Sequence, residues 1–316
     1  MPCTLTAEQI KSVKPLGFLH NKGTDCFNGR VITVNGKISA HQMETIAKAS
    51  EKYGNGDVLF TTRLTVEVRG IHFNDIPAFI EFIGQDNLIT GGTGSVVRPV
   101  VSCKGTTCQY GLYDTYDLSE KIHERFYLGY HTVKLPHKFK IAVGGCPNNC
   151  VKPDLNDLGV VGQRIPHFDE DLCNGCKKCQ IETQCPMKAA HVEDGTLNIN
   201  EEVCNNCGRC VNKCPFGSFD EYTDGYKVYI GGRWGKKVAH GQPLSKIFTS
   251  EEEVLSVIEK AILLFREQGK TGERFADTLN RLGFENVEKQ LLSDEILERK
   301  QEILDAKLHV SGGATC

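Results

Sequence analysis

Fifteen cysteines are the residues most capable of chemistry in this chain of 316, and they are unevenly placed. Eight lie between Cys173 and Cys214, four form the pairs Cys103/Cys108 and Cys146/Cys150, and Cys3, Cys26 and Cys316 stand apart. CNGCKKCQIETQCP and CNNCGRCVNKCP are two halves of one pattern: three cysteines two residues apart, then a fourth followed by proline. Three thiolates in one tight loop grip one cubane iron–sulfur cluster, and the fourth, turned away by its proline, serves the other half's cluster. By that rule Cys173, Cys176, Cys179 and Cys214 hold one cluster, and Cys204, Cys207, Cys210 and Cys185 hold the other. The first half carries five residues between Cys179 and Cys185 where the common run has three. Zinc, the competing reading, favours two CxxC pairs with a longer gap between them.

The other four thiols sit in CKGTTC and CPNNC, beside Gly105, Gly144 and Gly145. Glycine lets backbone approach a bulky inorganic group. Four thiolates in two loops suit a third cubane or a zinc ion, and the spacing leaves both open.

The elements that must position these groups are mixed. NGRVITVNGK reads as a strand ending in an Asn35-Gly36 turn. Ser39 with Gln42 forms a capping box for a helix carrying Met43, Ile46, Ala47 and Ala49, stopped at Gly54. DVLFTTRLTVEVRG alternates as one strand, and Asn74 opens a helix with Ile76, Phe79, Ile80 and Ile83 on one face. Residues 167 to about 222 are short of apolar runs and need metal to fold. Strand character returns at YKVYIGG, and Ser250 with Glu253 caps a helix bearing Val254, Ile258, Ala261, Ile262 and Phe265 up to Gly269. DEILERKQEILDAKL reads as an amphipathic helix (Ile296, Ile303, Leu304) expected to pack on its own domain, with a subunit contact as the alternative. The reading is α+β, with a cysteine-rich domain inserted into a larger one. Its boundaries fall at 1–84 for a first half-domain, 85–166 for the first part of a second domain, 167–222 for the insert, and 223–316 for the remainder.

Composition narrows the function. A net charge of −3 gives no electrostatic argument for nucleic acid. No window approaches 18 consecutive apolar residues, so no membrane span is expected. The N-terminal segment lacks a secretory apolar region. The cysteines therefore read as metal ligands in a reducing, cytoplasmic setting rather than as disulfides. GGTGS at Gly91–Ser95 is too short for a dinucleotide fingerprint, so electrons must come from a separate donor.

FNGRVITVNGKIS followed by a helix and TTRLTVEVRG, VRPVVSC entering the first cysteine pair, and LPHKFKIAVGGCPNNC entering the second are together specific. In these stretches the chain resembles the sirohaem sulfite/nitrite reductase family. The inserted ferredoxin segment makes it most similar to the type found in the C subunits of anaerobic sulfite reductases. One spacing departs from the family: four residues, not five, separate Cys103 from Cys108.

The resemblance implies a ferredoxin-like half-domain, a sirohaem and 4Fe-4S catalytic domain, and an inserted domain with two 4Fe-4S clusters, making three clusters in all. It implies that Cys103, Cys108, Cys146 and Cys150 bind the catalytic cubane and that Cys150 bridges to the sirohaem iron. Arg30, Arg98, Lys138 and Lys140 match the basic residues that hold the anion. Arg63 matches a residue that meets the macrocycle's carboxylates, and Gly231, Arg233 and Lys236 in GGRWGKK form a second candidate loop for them.

The residue types suit such chemistry. Sulfite carries a sulfur lone pair that ferrous haem can bind, and three oxygens that must leave as water. Guanidinium and ammonium groups offset its charge in a dry site. Lysine can donate protons once burial and neighbouring cations lower its pKa, whereas arginine binds and orients. The expected activity is six-electron reduction of sulfite to sulfide. Nitrite reduction to ammonia in the same pocket, and a haem-free electron-transfer subunit, are the competing readings. A flavin-containing subunit or a ferredoxin is the expected donor, and homo- or hetero-oligomers are expected because longer family members hold the half-domain architecture twice. His137, between Pro136 and Lys138, is left outside the site, and Cys3, Cys26 and Cys316 read as reduced thiols.

Overall fold

The computed structural model describes residues 3–308, so Cys316 lies outside the described residues. β1 (Phe18–His20), β2 (Cys26–Val31), β3 (Val58–Phe60) and β4 (Val66–His72) form an antiparallel sheet in the order β1-β2-β4-β3. Alternation along β2 buries Phe27, Gly29 and Val31 and turns Cys26, Asn28 and Arg30 to the other face. Helices Ala40–Tyr53 and Ile76–Gly84 pack Ile46, Ala49, Phe79 and Ile83 against Phe18, Phe27 and Val68. Ser39 and Gln42 cap the first helix reciprocally, and Asn35 and Gly36 both take positive φ, as the sequence predicts.

Three local expectations change. DVLFTTRLTVEVRG is a hairpin, not one strand: β3 and β4 pair antiparallel around Thr61–Thr65, where Leu64 takes φ +59. Gly54 ends its helix with φ −113, so no left-handed cap is involved; a Cβ there would lie 2.5 Å from the Arg69 carbonyl. Asn74 sits inside a 3-10 turn, Phe73–Asp75, that His72 caps before the helix begins.

The second sheet has the order β11-β10-β7-β6-β5. β5 (Val101–Ser102), β6 (Ile141–Gly144) and β7 (Leu158–Pro166) run parallel; β10 (Tyr222–Ile230) and β11 (Gln242–Phe248) are antiparallel to their neighbours. Helix Glu251–Gln268, capped by Ser250 and Glu253, is buried almost continuously from Val254 to Phe265 and packs on Ile141, Val143, Val160 and Val228. The C-terminal amphipathic segment is two short helices, Glu295–Glu298 and Lys300–Asp305, which bury Ile296 and Ile303 in this same core.

β7 and β10 pair without a break from Leu158↔Ile230 to Pro166↔Tyr222. Residues 167–221 are thus an elaborated hairpin loop, which explains how a foreign module fits without disturbing the sheet. The module has its own small hairpin, β8 (Ala190–Glu193) and β9 (Thr196–Ile199), turned by Asp194-Gly195 with φ of +52 and +83. Its core is only Ile181, Ala190, Leu197 and Phe219, with Phe168 stacked on Phe219 at 5.1 Å. So small a core leaves much of the folding free energy to be supplied by bound metal.

Candidate active site

Two parallel strands organise the site. β5 follows Arg98 and leads into Cys103; β6 follows Lys138 and Lys140 and leads through Gly144-Gly145 into Cys146. Because β5 and β6 are parallel, with Val101 opposite Ala142, the bases gather at one end and the cysteines at the other. At about 3.3 Å per residue the two ends are roughly 16–20 Å apart along the strands.

At the basic end a cleft of about 260 Å³ is lined by Lys14, Arg30, Arg98, His137 and Lys138 together with Thr93. Three of the four predicted anion-binding residues therefore share one cavity. Arg30 is opposite Glu67 in the β2–β4 register, and its Nη2 and Nε donate to Glu67 Oε1 at 2.6 and 2.9 Å. The Gly92 carbonyl accepts from Arg30 Nη1 at 2.9 Å and also from Arg98 Nη1. Burial and the adjacent Arg30 bring the Arg98 pKa down to about 10, so Arg98 stays charged at neutral pH.

Lys140, the fourth, is not among the cleft's lining residues. Burial, then Arg63 and Arg274, lower its pKa to about 8. Its backbone N–H donates to Asp157 Oδ2 at 2.9 Å, and Asp157 is fully buried against Arg274, whose Nη2 reaches both carboxylate oxygens at 2.9 Å. Burial and the surrounding cations Arg274, Lys138 and Arg98 hold His137 near 4, hence neutral at pH 7. His137, left outside the site on sequence grounds, lines the cleft, because the segment before β6 carries it there beside Lys138. Lys14, Glu67, Asp157 and Arg274 were not singled out from sequence, because their roles arise from register across separate elements.

Arg63 is placed as a strut. From the β3–β4 hairpin its guanidinium donates to the Pro99 and Ile141 carbonyls and to Asn156 Oδ1 at 2.6–3.1 Å, tying the first sheet to the second. Arg233 donates to both oxygens of Asp277 at 3.0–3.1 Å and bridges to Ala239, so Lys236 and Trp234 lie in an exposed loop between them. Gly231, at φ +82, precedes this loop, and Gly232 packs on the Asp154 and Asn156 carbonyls.

At the other end the two cysteine loops meet. Burial raises the Cys146 thiol pKa, and Cys103, Cys150 and Cys108 are near enough to add to the effect, which gathers all four thiols in one place. Cys150 is the exposed member. The Gly145 N–H donates to Cys103 Sγ at 3.2 Å. Such a donor, with four thiols whose charges oppose one another, fits a cationic iron–sulfur cluster that would neutralise them. The glycines also serve a contact within the protein. A Cβ on Gly145 would lie 3.0 Å from Gly105 Cα, and one on Gly144 would lie 2.9 Å from Pro153 Cγ, so they let the loops pack on each other.

In the insert, one cavity is lined by Cys185, Cys204, Cys207 and Cys210, so the fourth cysteine of the first half joins the three of the second. Ala189 N–H donates to Cys185 Sγ at 3.3 Å. Cys173, Cys179 and Cys214 pack around the insert's core, and Ser218 donates to Cys214 Sγ at 3.0 Å. Cys176 lies in the same loop between Cys173 and Cys179. The extra residues before Cys185 form a short helix, Gln180–Gln184, which buries Ile181. Elsewhere, Cys3 lies 3.6 Å from His20 Nε2, and Cys26 is roughly 13 Å along β2 from Arg30.

A sheet whose neighbouring strands deliver bases to one end and thiols to the other, with a cysteine-rich loop inserted between β7 and β10, defines an iron–sulfur protein of redox type. The pattern of the nitrite and sulphite reductase 4Fe-4S domain matches residues 93–300, and that of the nitrite/sulfite reductase ferredoxin-like half domain matches residues 19–85. The chain belongs to the nitrite and sulphite reductase family. It is 32% identical over 262 residues to the coenzyme F420-dependent sulfite reductase of Methanocaldococcus jannaschii, covering 81% of this chain and 41% of that protein, so it spans less than half of that relative's length. It is 28% identical over 240 residues to the anaerobic sulfite reductase C subunit of Salmonella typhimurium, covering 71% and 69%. The fold matches dissimilatory sulfite reductase I with a TM-score of 0.66 at 23% identity, over 84% of this chain and 69% of that one. Among the described residues no helix is long and apolar enough to cross a membrane.

Proposed function

We propose that this chain catalyses the six-electron reduction of sulfite to sulfide on a sirohaem coupled to a cubane cluster. The carrying observation is the parallel pair β5 and β6, which gathers Arg98, Lys138 and Lys140 at one end and Cys103 and Cys146 at the other. In this reading Cys103, Cys108, Cys146 and Cys150 would hold the cubane, and Cys150, the exposed thiol, would be the one facing the haem. A sirohaem bound there would supply an iron for the sulfur lone pair and a path for electrons.

The remaining work belongs to the side chains. Arg30 and Arg98 orient the anion through its oxygens, and Lys138 offsets its charge. Lys140, titrating near 8, holds a proton that can be passed toward a departing oxygen. Six electrons and seven protons convert sulfite to hydrosulfide and three waters, so proton supply matters as much as charge. Arg63 fixes the wall between the sheets, while Arg233 and Lys236 are left for the macrocycle's carboxylates.

Electrons enter through the insert. Cys146 and Cys207 line the same groove, and Arg209 lies over the Tyr110 ring at 4.7 Å. This supports the cluster of Cys185, Cys204, Cys207 and Cys210 as the immediate donor to the catalytic cubane. The cluster of Cys173, Cys176, Cys179 and Cys214 is then the entry point for a flavin-containing subunit or a ferredoxin. Assembly with itself or with partner subunits completes the proposal.

Anaerobic purification with an iron and acid-labile sulfide count and a visible spectrum tests it. Three cubanes, tetrapyrrole bands and sulfite turnover with a reduced viologen are expected. Iron–sulfur absorption without tetrapyrrole bands would leave an electron-transfer subunit, and faster turnover of nitrite than of sulfite would make the chain a nitrite reductase.

A further inference from the structure

Tyr127 is buried in a single turn of π-helix, His123–Leu128, marked by the Gly129 N–H bonding the Glu124 carbonyl five residues back. A π turn inserts a residue into the helical ladder and re-aims the side chains around it. Here the Tyr127 ring stacks on His123, with centroids 4.9 Å apart and planes at 29°. Its hydroxyl is carried to the Gly91-Gly92 segment. A Cβ on Gly91 would lie 2.7 Å from the hydroxyl oxygen, so the hydroxyl sits directly against this backbone, with the Gly92 backbone beside it. Gly92, at φ +71, is the residue whose carbonyl accepts from both Arg30 and Arg98. A Cβ there would lie 3.1 Å from Arg30 Cδ, so Arg30 closes directly over this glycine.

We propose that Tyr127 is a positioning residue of the anion cleft: it fixes Gly92, and Gly92 in turn holds the two guanidiniums at one spacing for one anion. The inference rests on the reading of the cleft as the anion site. Arginine's fork recognises an oxyanion only when its plane and direction are set beforehand. Two long side chains sharing one acceptor have their rotamers chosen by where that acceptor sits. Tyr127 touches neither substrate nor reacting atoms; it acts through the backbone.

The test uses Tyr127→Phe in the holoenzyme, with sulfite as the probe, by calorimetric titration and by steady-state turnover with reduced methyl viologen. Removing the hydroxyl that rests against the Gly91-Gly92 backbone should weaken sulfite binding about three- to tenfold. KM should rise by a similar factor while kcat changes less. Arg98→Lys keeps the charge but loses the fork. If Tyr127 works through Arg98 placement, Tyr127→Phe should cost less in the Arg98→Lys background than in the parent. That coupling stays measurable below the melting midpoint even where the variant is less stable. Unchanged binding in Tyr127→Phe, or strictly additive losses, overturns the inference while Arg98→Lys still impairs binding. If neither variant alters sulfite binding, the anion-site reading itself fails.

Discussion

Arg30 and Glu67 face each other across β2 and β4, with Arg30 Nη2 2.6 Å from Glu67 Oε1. Their side chains are only 19% and 12% exposed, so the pair is partly desolvated. Register therefore fixes one side of the anion cleft. Glu67 takes the Nε edge of the guanidinium and leaves Nη1 to Gly92, which sets the fork's plane. Glu67→Gln keeps the shape and removes the charge. It should cost about 1.5–3 kcal/mol in unfolding free energy by denaturant titration, the range for a hydrogen bond to a charged group, and should raise KM for sulfite more than it lowers kcat. A KM equal to that of the parent would show that Arg30 keeps its orientation without its acid.

Lys140 gives the cleft a pH signature. Burial and the cations Arg63 and Arg274 hold it near 8, below the usual lysine value of 10.5. Turnover that depends on its proton should fall as pH rises through about 8, and Lys140→Gln should lower kcat and flatten that limb. The stability sign is opposite to that of a paired lysine. Between about 8 and 10.5 the unfolded chain binds more protons than the folded one, so Lys140 makes stability rise with pH across that window. Replacement by Met should therefore raise the melting temperature at pH 7 and narrow the difference at pH 10. Melting curves at the two pH values check it.

The cysteine framework was legible because iron–sulfur loops are local: thiols two residues apart meet without help from the rest of the chain. Asn35-Gly36 and the capping boxes at Ser39 and Ser250 were legible for the same reason. The Thr61–Thr65 hairpin was not, since it contains no glycine, proline or asparagine and puts Leu64 at positive φ instead. Asp194-Gly195 is a hairpin signal hidden by the cysteine pattern around it. Glu67, Asp157 and Arg274 could not be read from spacing: each acid meets its arginine through sheet register or through a helix end more than a hundred residues away. Only the fold turns those ordinary residues into the walls of a cleft.

Asp157 and Arg274 form the most deeply buried ion pair near the site, with side chains 0% and 7% exposed. Asp157 also accepts the Lys140 N–H, so it anchors the start of β6. Removing one partner leaves an uncompensated buried charge, which typically costs about 3–5 kcal/mol. Arg274→Met and Asp157→Asn should each lose stability on that scale. The double variant should lose less than the sum of the two, since each single change leaves its partner stranded. Urea unfolding of the three variants, with the Lys140-dependent limb of the pH profile as second readout, decides it. Additive losses would mean that the two groups are stabilised independently.

The crossed ligand sets proposed for the insert make a sharp prediction. Cys185 belongs to the first sequence half yet lines the cavity of Cys204, Cys207 and Cys210, which leaves Cys214 to the cluster of Cys173, Cys176 and Cys179 in the proposed assignment. Cys185→Ser should therefore disturb the same cluster as Cys207→Ser, and Cys214→Ser the same cluster as Cys176→Ser. Each variant should lose up to one third of the iron, and the paired variants should share one altered electron paramagnetic resonance signal. The inner cluster, beside the Cys146 loop, should be the one whose loss also removes magnetic interaction with the catalytic cubane. Should Cys185→Ser instead match Cys176→Ser, the halves would be self-contained and the inner and outer assignments would change places. Because the insert's apolar core is so small, either loss should also lower its resistance to proteolysis at residues 167–221 while leaving the β7–β10 pairing intact.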